Sequence, residues 1–215
     1  MRAAWEDYYR TRRRPWAGAI ELPKLPQGSL VLETGCGGGR LLVPLMHQRP
    51  GLTVVGLDIA RSALTCLSRP CPGGLVQADV AALPFRAQSF DAVICRHVLG
   101  HLPEAGRRAA ASEMLRVVKP GGSLFFEGFS TGDGRFGKGR QVEPATFARG
   151  DGIWHHYFSP EEVGRLFAIA REVDLQERTW EERAGPRRMR RALIVGQVRR
   201  TAQPPSEGQK ADHKA

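Results

Sequence analysis

The feature that most constrains this chain is a glycine-rich turn directly after a short apolar run. Residues 31–39 read Val-Leu-Glu-Thr-Gly-Cys-Gly-Gly-Gly. Glycine adopts positive φ and has no Cβ, so a strand that ends in such a turn brings bare backbone against a ligand before a helix begins at Arg40. The pattern predicts a strand, a ligand-binding turn and a helix, and it favours a nucleoside cofactor as the ligand.

An acidic residue ahead of the turn narrows the choice of cofactor. Glu33 lies two residues before Gly35, where a carboxylate would repel a pyrophosphate and attract an ammonium group. Dinucleotide-binding turns carry glycine at the sixth position of G-x-G-x-x-G, where this chain has Arg40. The expected cofactor is therefore S-adenosylmethionine, which has such an ammonium group, and an NAD-linked oxidoreductase is the weaker alternative.

Two further carboxylates come directly after predicted strands. Asp58 lies 23 residues after Gly35, close to the roughly 20 residues expected for the acid that binds a ribose diol. Asp58 can also cap the following helix, and the two roles are compatible. Asp79 is predicted to accept a hydrogen bond from an adenine amino group, with Leu83-Pro84-Phe85 as an apolar floor for the ring.

These residues belong to a series of six motifs in order along the chain. The motifs are E-x-G-x-G-x-G at Glu33 to Gly39, the strand end at Asp58, A-D at 78–79, L-P-F at 83–85, S-F-D-x-V at 89–93 and L-x-x-V-K-P-G-G at 115–122. From about Ser29 to Phe129 the chain resembles the class I S-adenosylmethionine-dependent methyltransferases. The resemblance implies an α/β fold with a Rossmann-like seven-stranded sheet and helices on both faces.

The resemblance also implies which residues bind the cofactor. The glycine turn would cradle the methionine and ribose, Asp58 would hold the ribose hydroxyls, Asp79 would bind the adenine, and residues past the fourth strand would face the reacting methyl group. The predicted cofactor-binding set is Glu33, Gly35, Cys36, Gly37, Gly39, Asp58, Ile59, Asp79, Val80, Cys95 and Arg96.

Apolar runs alternate with helical segments along the chain, which predicts a parallel sheet covered on both faces. Helices are predicted after Pro103 and from Ser159 to about Ala170, where Ser-Pro-Glu-Glu forms a capping box. The predicted strands include 53–57, 75–78, 123–126 and a closing hairpin of 173–180 with 192–198. Residues 128–152 show little periodicity and are predicted to form a substrate-facing loop that acts as a lid.

Length and composition suit one domain. The chain has 215 residues, of which 41% are hydrophobic, and the domain is predicted over 1–200 with an N-terminal cap segment at 1–28 and a disordered tail at 201–215. No apolar run reaches the length of a membrane span and no secretory signal begins the chain, so a cytoplasmic protein without membrane contact is expected. The four cysteines lack C-x-x-C spacing, so no metal site is expected.

Positive charge is concentrated in segments. The net charge is +10, and four arginines crowd residues 10–14. Seven arginines and no acid lie between Arg183 and Arg200. Arginine suits bidentate contacts with phosphate or carboxylate, so an acidic partner is expected, with RNA first. A solvated face with no partner is the alternative.

A second, narrower resemblance concerns the methyl acceptor. Residues 11–16, Thr-Arg-Arg-Arg-Pro-Trp, resemble the T-R-x-x-P-W segment of the tRNA wobble-uridine methyltransferases, which methylate a carboxymethyl group on the anticodon base. Their R-Y-Y-H-x-F stretch is similar to residues 154–158, although the order of His and Tyr differs here. The resemblance implies a tRNA acceptor and a small zinc-binding activator protein as partner. A small-molecule acceptor and a non-catalytic RNA-binding module are the alternatives.

Methyl transfer from a sulfonium depends mainly on positioning, because the electrophile is already activated. A carboxylate nucleophile needs no base, whereas an amine or hydroxyl does. We expect His97 to line the pocket and His156 or Tyr157 to contact the substrate; His101 and His155 are the other available imidazoles. Each imidazole can instead be a hydrogen-bonded structural residue. Tyr8, Tyr9 and Trp16 are expected to fold over the cofactor or to pack on the sheet.

Overall fold

The computed structural model describes residues 1–11, 21–67, 71, 73–170, 172–184 and 187–201. Residues 12–16 of the T-R-x-x-P-W segment, which include its arginines, and the tail from residue 202 lie outside the described residues.

The described residues form ten strands, five helices and one 3-10 turn at Leu99–His101. The strands are β1 (Leu30–Thr34), β2 (Thr53–Asp58), β3 (Leu75–Gln77), β4 (Phe90–Arg96), β5 (Val118–Phe129), β6 (Arg140–Glu143), β7 (Thr146–Ala148), β8 (Trp154–His156), β9 (Glu172–Ala184) and β10 (Arg187–Arg199). The helices are α1 (Arg2–Thr11), α2 (Leu42–Gln48), α3 (Arg61–Leu64), α4 (Glu104–Val117) and α5 (Pro160–Leu166).

A seven-stranded sheet lies at the centre of the fold, in the order β3-β2-β1-β4-β5-β10-β9. The first five strands of that order pair in parallel, and the β9–β10 hairpin pairs antiparallel to β5 at the edge. This confirms the predicted α/β sheet. The order reverses between β1 and β4, and ligands of open α/β sheets bind at such a switch point, beyond the carboxyl ends of the strands.

Helices cover both faces of the sheet. Leu42 and Leu45 of α2 belong to the same apolar cluster as Val31, whereas Met114 of α4 shares a second cluster with Leu32. Successive residues of a strand point to opposite faces, so Val31 and Leu32 of β1 each contribute to a different layer.

The helix ends follow local sequence signals. Ser159 accepts a hydrogen bond from the Glu162 amide at 3.2 Å, with Pro160 in the first turn, as the capping box predicts. α5 ends at Leu166, four residues before the predicted end. α4 begins at Glu104, directly after Pro103.

The segment 128–152, predicted as an irregular loop, contains two short strands. Residues 140–143 and 146–148 form β6 and β7, which pair with β8 in a small antiparallel sheet, whereas the rest of the segment after β5 is turns and irregular chain. Strands of three and four residues are too short to leave a visible alternation, and β8 lies beyond the segment itself.

No helix within the described ranges is long and apolar enough to cross a membrane.

Candidate cofactor and acceptor site

A cavity of about 520 Å³ lies at the carboxyl ends of β1, β2 and β4. Its walls come from the glycine turn, the ends of these strands, α1, the turn at 99–101 and β8. The sequence-predicted residues on its surface are Glu33, Gly35, Cys36, Gly37, Asp58, Ile59, Asp79, Val80, Arg96 and His97. Most of the predicted site is thus brought together in one place.

Glu33 is a buried carboxylate facing this cavity. The residue is 5% exposed, and its Oε2 has no hydrogen-bond partner among the described residues. Burial raises the pKa of Glu33 to about 8, although the positive charge of Arg96 opposes the shift. A buried polar atom without a partner is costly, and an ammonium group entering the cavity would satisfy it.

Asp58 fixes the shape of the glycine turn. Its Oδ2 accepts a hydrogen bond from the Gly37 amide at 2.9 Å, and its Oδ1 accepts one from the Ala60 amide at 2.9 Å. Burial raises the pKa of Asp58. Each carboxylate oxygen has a second lone pair, so the residue can hold the turn and still accept from two hydroxyls.

The glycines of the turn have different roles. Gly37 has a φ of +52°, and a Cβ there would lie 2.3 Å from the Tyr9 hydroxyl, so a side chain would collide with α1. Gly39 has a φ of +82°, and its amide donates to the Cys36 carbonyl at 2.9 Å. Gly39 does not line the cavity; it closes the turn against Leu67, which a Cβ would meet at 2.0 Å.

Helix α1 covers the cavity and is anchored by one carboxylate. Met1, Trp5, Tyr8 and Tyr9 line the cavity wall. The Glu6 carboxylate accepts from the Arg61 and Ser62 amides at 2.8 and 2.9 Å, at the start of α3. The Ser62 hydroxyl donates to the Glu6 carbonyl at 3.0 Å. Hydrogen bonds from Ser62 and Arg61 lower the pKa of Glu6 to about 2.

Replacing Glu6 with Gln should loosen this cover. We expect faster hydrogen exchange in α1 and faster dissociation of a bound cofactor, because an uncharged amide oxygen is the weaker acceptor of both amides. The exposed Asp7, which pairs only loosely with Arg10 at 3.6 Å, provides the control Asp7→Asn. The folded pKa of Glu6 is lowered, so its contribution is present above the unfolded value of 4.5 and is lost as pH falls toward 2. Equal exchange of α1 in both variants would contradict the anchor.

The part of the cavity around Asp79, predicted to bind adenine, has a different apolar surface from the one predicted. Ile59 and Val80 line the cavity beside Asp79, whose Oδ1 accepts from the Ala81 amide at 2.9 Å. These two side chains supply the apolar surface there.

The prediction that Leu83-Pro84-Phe85 forms the adenine floor was wrong. Leu83 is buried in the core and Phe85 packs edge-on against Phe90, with ring centroids 5.0 Å apart. The segment is tied to α4 instead: the Leu83 amide donates to Glu113, and Arg116 donates to the carbonyls of Leu83 and Phe85.

Arg96, the last residue of β4, and His97, directly after it, line the cavity and are held by Glu127. Arg96 binds the Glu127 carboxylate through two hydrogen bonds, at 3.0 and 2.8 Å, and His97 Nε2 lies 2.9 Å from the same carboxylate. Burial raises the pKa of Glu127, but hydrogen bonds and charge from His97 and Arg96 outweigh it and lower the pKa to about 2. The His97 ring stacks on Phe129 at 4.5 Å.

Cys95 does not reach the cavity, so its assignment to the cofactor site is corrected. The side chain is fully buried in the core, and burial raises its pKa to about 11. Arg40, in contrast, lines the cavity, although the sequence analysis named it as a helix start and as a departure from the dinucleotide pattern and did not assign it to the site. Its position directly after the last glycine of the turn was the available signal.

His156 and Tyr157 also lie away from the cavity, so their assignment as substrate contacts is corrected. His156 is 2% exposed, with its nitrogens 2.8 Å from the Thr146 hydroxyl and 2.9 Å from the Glu162 carboxylate. Tyr157 is fully buried and its hydroxyl contacts Arg149. Alternation along β8 turns His155, the neighbour of His156, into the cavity.

The end of the cavity beyond Arg96 combines neutral imidazoles with a fixed cation. Burial lowers the pKa of His101 to about 4 and that of His155 to about 3. His101 Nδ1 lies 2.7 Å from the Trp154 carbonyl, which can only accept, so Nδ1 carries the proton and Nε2 is the acceptor. Arg135 lines the same end, paired with Asp133 at 2.9 Å. We call this region the acceptor end.

No cluster of three or more His, Cys, Asp or Glu side chains suited to a metal ion occurs in the part of the chain that the structure describes.

Comparison with known proteins identifies the central segment. Residues 32–126 match a family model described as a methyltransferase domain. A tRNA (carboxymethyluridine(34)-5-O)-methyltransferase of Arabidopsis thaliana is 40% identical over 114 residues, which is 52% of this chain and 27% of that protein. A tRNA N(3)-cytidine methyltransferase of Danio rerio is 28% identical over 73% of this chain and 48% of that protein. The chain therefore spans between about a quarter and a half of the length of these two relatives.

Among solved structures, an S-adenosylmethionine-dependent methyltransferase of Methanosarcina mazei superposes with a TM-score of 0.64 at 22% identity. The match covers 81% of this chain and 94% of that chain. At this identity the likeness shows the fold alone, and it agrees with the observed sheet order.

Proposed function

We propose that this chain, of which residues 32–126 match a methyltransferase domain model, transfers a methyl group from S-adenosylmethionine to the carboxylate of a modified tRNA base. The observation that carries the choice of acceptor is the acceptor end itself, where Arg135 is the fixed cation and the half-buried His101 and His155 are poor bases.

The residues of the cavity fit S-adenosylmethionine. The unpartnered Oε2 of Glu33 would bind the ammonium group, and Arg40 carries the charge that the methionine carboxylate needs. Asp58 would accept from the ribose hydroxyls, and Ile59 and Val80 would contact the adenine. When bound, the cofactor supplies a methyl group that its sulfonium has already activated.

The acceptor end favours a nucleophile that has no proton to lose. An efficient general base has a pKa near the working pH, and imidazoles with pKa values of about 4 and 3 lie well below it. A carboxylate attacks without deprotonation, and a guanidinium such as Arg135 can orient it. The residues therefore contribute position and charge rather than proton transfer.

The relatives support tRNA as the carrier of that carboxylate. Both proteins compared above are named as tRNA methyltransferases, and the name of the Arabidopsis protein specifies an oxygen acceptor on carboxymethyluridine. The cavity volume of about 520 Å³ also leaves a small-molecule acceptor as a second candidate, since such a ligand needs no surface outside the cavity.

The proposed carrier is tested with methyl-labelled S-adenosylmethionine, total tRNA and, separately, a small-molecule extract. We expect label in nuclease-sensitive material. Label only in the small-molecule fraction would contradict a tRNA acceptor and favour the second candidate. Cofactor binding without any transfer would contradict activity of the isolated chain and favour the expected activator protein.

The single domain over residues 1–200 and the cytoplasmic location stay predictions.

Replacing Arg135 with Ala tests the carboxylate contact. We expect KM for the RNA to rise and kcat/KM to fall about 10- to 100-fold, because a charge-assisted hydrogen bond contributes about 1.5–3 kcal/mol. Arg135→Lys should restore part of the loss. The control is Arg108→Ala, which removes an exposed arginine paired with Glu104 on α4. Unchanged kcat/KM in Arg135→Ala, with normal cofactor affinity, would contradict the contact.

A further inference from the structure

We propose that three arginines at the tip of the β9–β10 hairpin form a docking surface for the phosphate backbone of an RNA substrate. These residues, Arg183, Arg188 and Arg190, are named the arginine tip. The inference rests on the proposed function, because it concerns how the same substrate reaches the acceptor end.

The arginine tip places like charges opposite one another. In the register of the hairpin, Arg183 pairs directly with Arg188, and Arg190 lies two residues further along the same face of β10. All three side chains are exposed. Like charges at directly opposite positions of a sheet are unfavourable, and an anion that contacts both guanidinium groups would relieve the repulsion.

Two other arginines of the hairpin form ion pairs within the fold. Arg191 pairs with Asp133 and Glu182, and Arg178 pairs with Glu21. Within the described ranges, no ion pair is formed by any member of the arginine tip, although Glu181 lies opposite Arg190 in the register. The arginine tip therefore differs from Arg178 and Arg191, because these two join the hairpin to other parts of the molecule through ion pairs.

The arginine tip is connected to the acceptor end by a short network. The Arg190 carbonyl accepts from the Gly134 amide at 2.8 Å, and the next residue, Arg135, lines the cavity. Asp133 binds both Arg135 and Arg191, each at 2.9 Å. A strand held at the tip would therefore lie on the acceptor side of the cavity, where a base turned out of its stack could enter.

Phosphate is the anion that this arrangement favours. Guanidinium groups bind phosphate oxygens through paired hydrogen bonds, and successive phosphates of an RNA strand can engage several arginines at once. The net charge of +10 adds long-range attraction for a polyanion. An acidic protein is the competing partner, and polyglutamate represents it in the test.

The test compares two double charge reversals with equal change in net charge. Arg183→Glu with Arg188→Glu alters the tip, whereas Arg49→Glu with Arg86→Glu alters two exposed arginines outside the hairpin and the cavity wall. The tRNA affinity of each full-length protein is measured by anisotropy over a salt series, beside cofactor affinity and thermal unfolding as checks of folding.

We expect the tip variant to lose at least tenfold in tRNA affinity at low salt. The slope of log K against log salt should fall in magnitude by about 1.4–1.8, since two phosphate contacts are lost and each contributes roughly 0.7–0.9. The control pair should keep the wild-type slope. Equal losses in both pairs would overturn the arginine tip while leaving the proposed function intact. A wild-type protein that binds no tRNA would overturn both, and tighter, tip-dependent binding of polyglutamate would overturn RNA as the partner.

Discussion

Replacing Asp58 with Asn is expected to weaken binding of S-adenosylmethionine and S-adenosylhomocysteine by about 100-fold or more. The carboxylate would accept from the ribose hydroxyls and also holds the Gly37 amide at 2.9 Å, and an Asn side chain has only one oxygen for these contacts. Two charge-assisted hydrogen bonds at about 1.5–3 kcal/mol each exceed the 1.4 kcal/mol that corresponds to each tenfold in Kd.

Isothermal titration with S-adenosylhomocysteine measures this loss, and Asp174→Asn on the exposed side of β9 is the matched control. Circular dichroism and the thermal midpoint show whether the sheet is retained. A folded Asp58→Asn protein that binds as tightly as wild type would contradict the assignment of the ribose site.

Replacing Glu33 with Gln is expected to weaken cofactor binding and, at the same time, to stabilise the cofactor-free protein at alkaline pH. The folded protein holds the Glu33 proton up to a pKa of about 8, whereas the unfolded chain releases it near 4.5. The unfolded state therefore binds fewer protons between these values, and the wild-type free energy of unfolding falls as pH rises from 4.5 to 8. Gln carries no such proton, so the variant avoids this loss, which is on the order of 3–5 kcal/mol above pH 8.

The measurement is urea unfolding of both proteins between pH 5 and 9, with Glu172→Gln as an exposed control on β9. The stability advantage of Glu33→Gln should grow across this range. Cofactor affinity of the wild type should rise toward pH 8 as Glu33 ionises, and the variant should lack that rise. Parallel pH profiles for the two proteins would contradict the role of Glu33 as the ammonium acceptor.

The sequence could predict which residues of the proposed cofactor site line the cavity, because they belong to short local motifs. Glu33, the glycine turn and Asp58 each follow a strand, and the strand order of the sheet brings those ends together. The prediction that a residue lies at the carboxyl end of a strand still holds when the predicted length of the strand is wrong by one or two residues.

The acceptor half depends on register and on long-range contacts, which local patterns do not encode. A shift of one residue along β8 exchanges His156 for His155 at the cavity surface, and no signal in the sequence fixes that parity. The docking of Glu6 on α3 joins residues 55 and 56 positions apart. Likewise, the motif Leu83-Pro84-Phe85 was recognised correctly but assigned to the wrong contact, because its partners lie on α4.

For the arginine-rich segment, too, composition predicted less than the strand pairing shows. The sequence indicated a basic surface between Arg183 and Arg200, but only the hairpin register separates Arg183 and Arg188 from Arg191, which is buried in ion pairs. Charge alone therefore predicted a class of partner, and strand pairing was needed to propose where that partner binds.

The most direct test of the account is the alkali lability of the methyl group that the wild-type protein transfers to tRNA. Methyl-labelled S-adenosylmethionine is incubated with the protein and tRNA, the RNA is purified, and the label is followed through mild alkaline hydrolysis. A methyl ester formed on a carboxylate releases its label as volatile methanol, and this is the result that the account predicts. Label that stays on the nucleosides after hydrolysis would place the methyl group on nitrogen, carbon or an ether oxygen, and it would contradict the carboxylate acceptor.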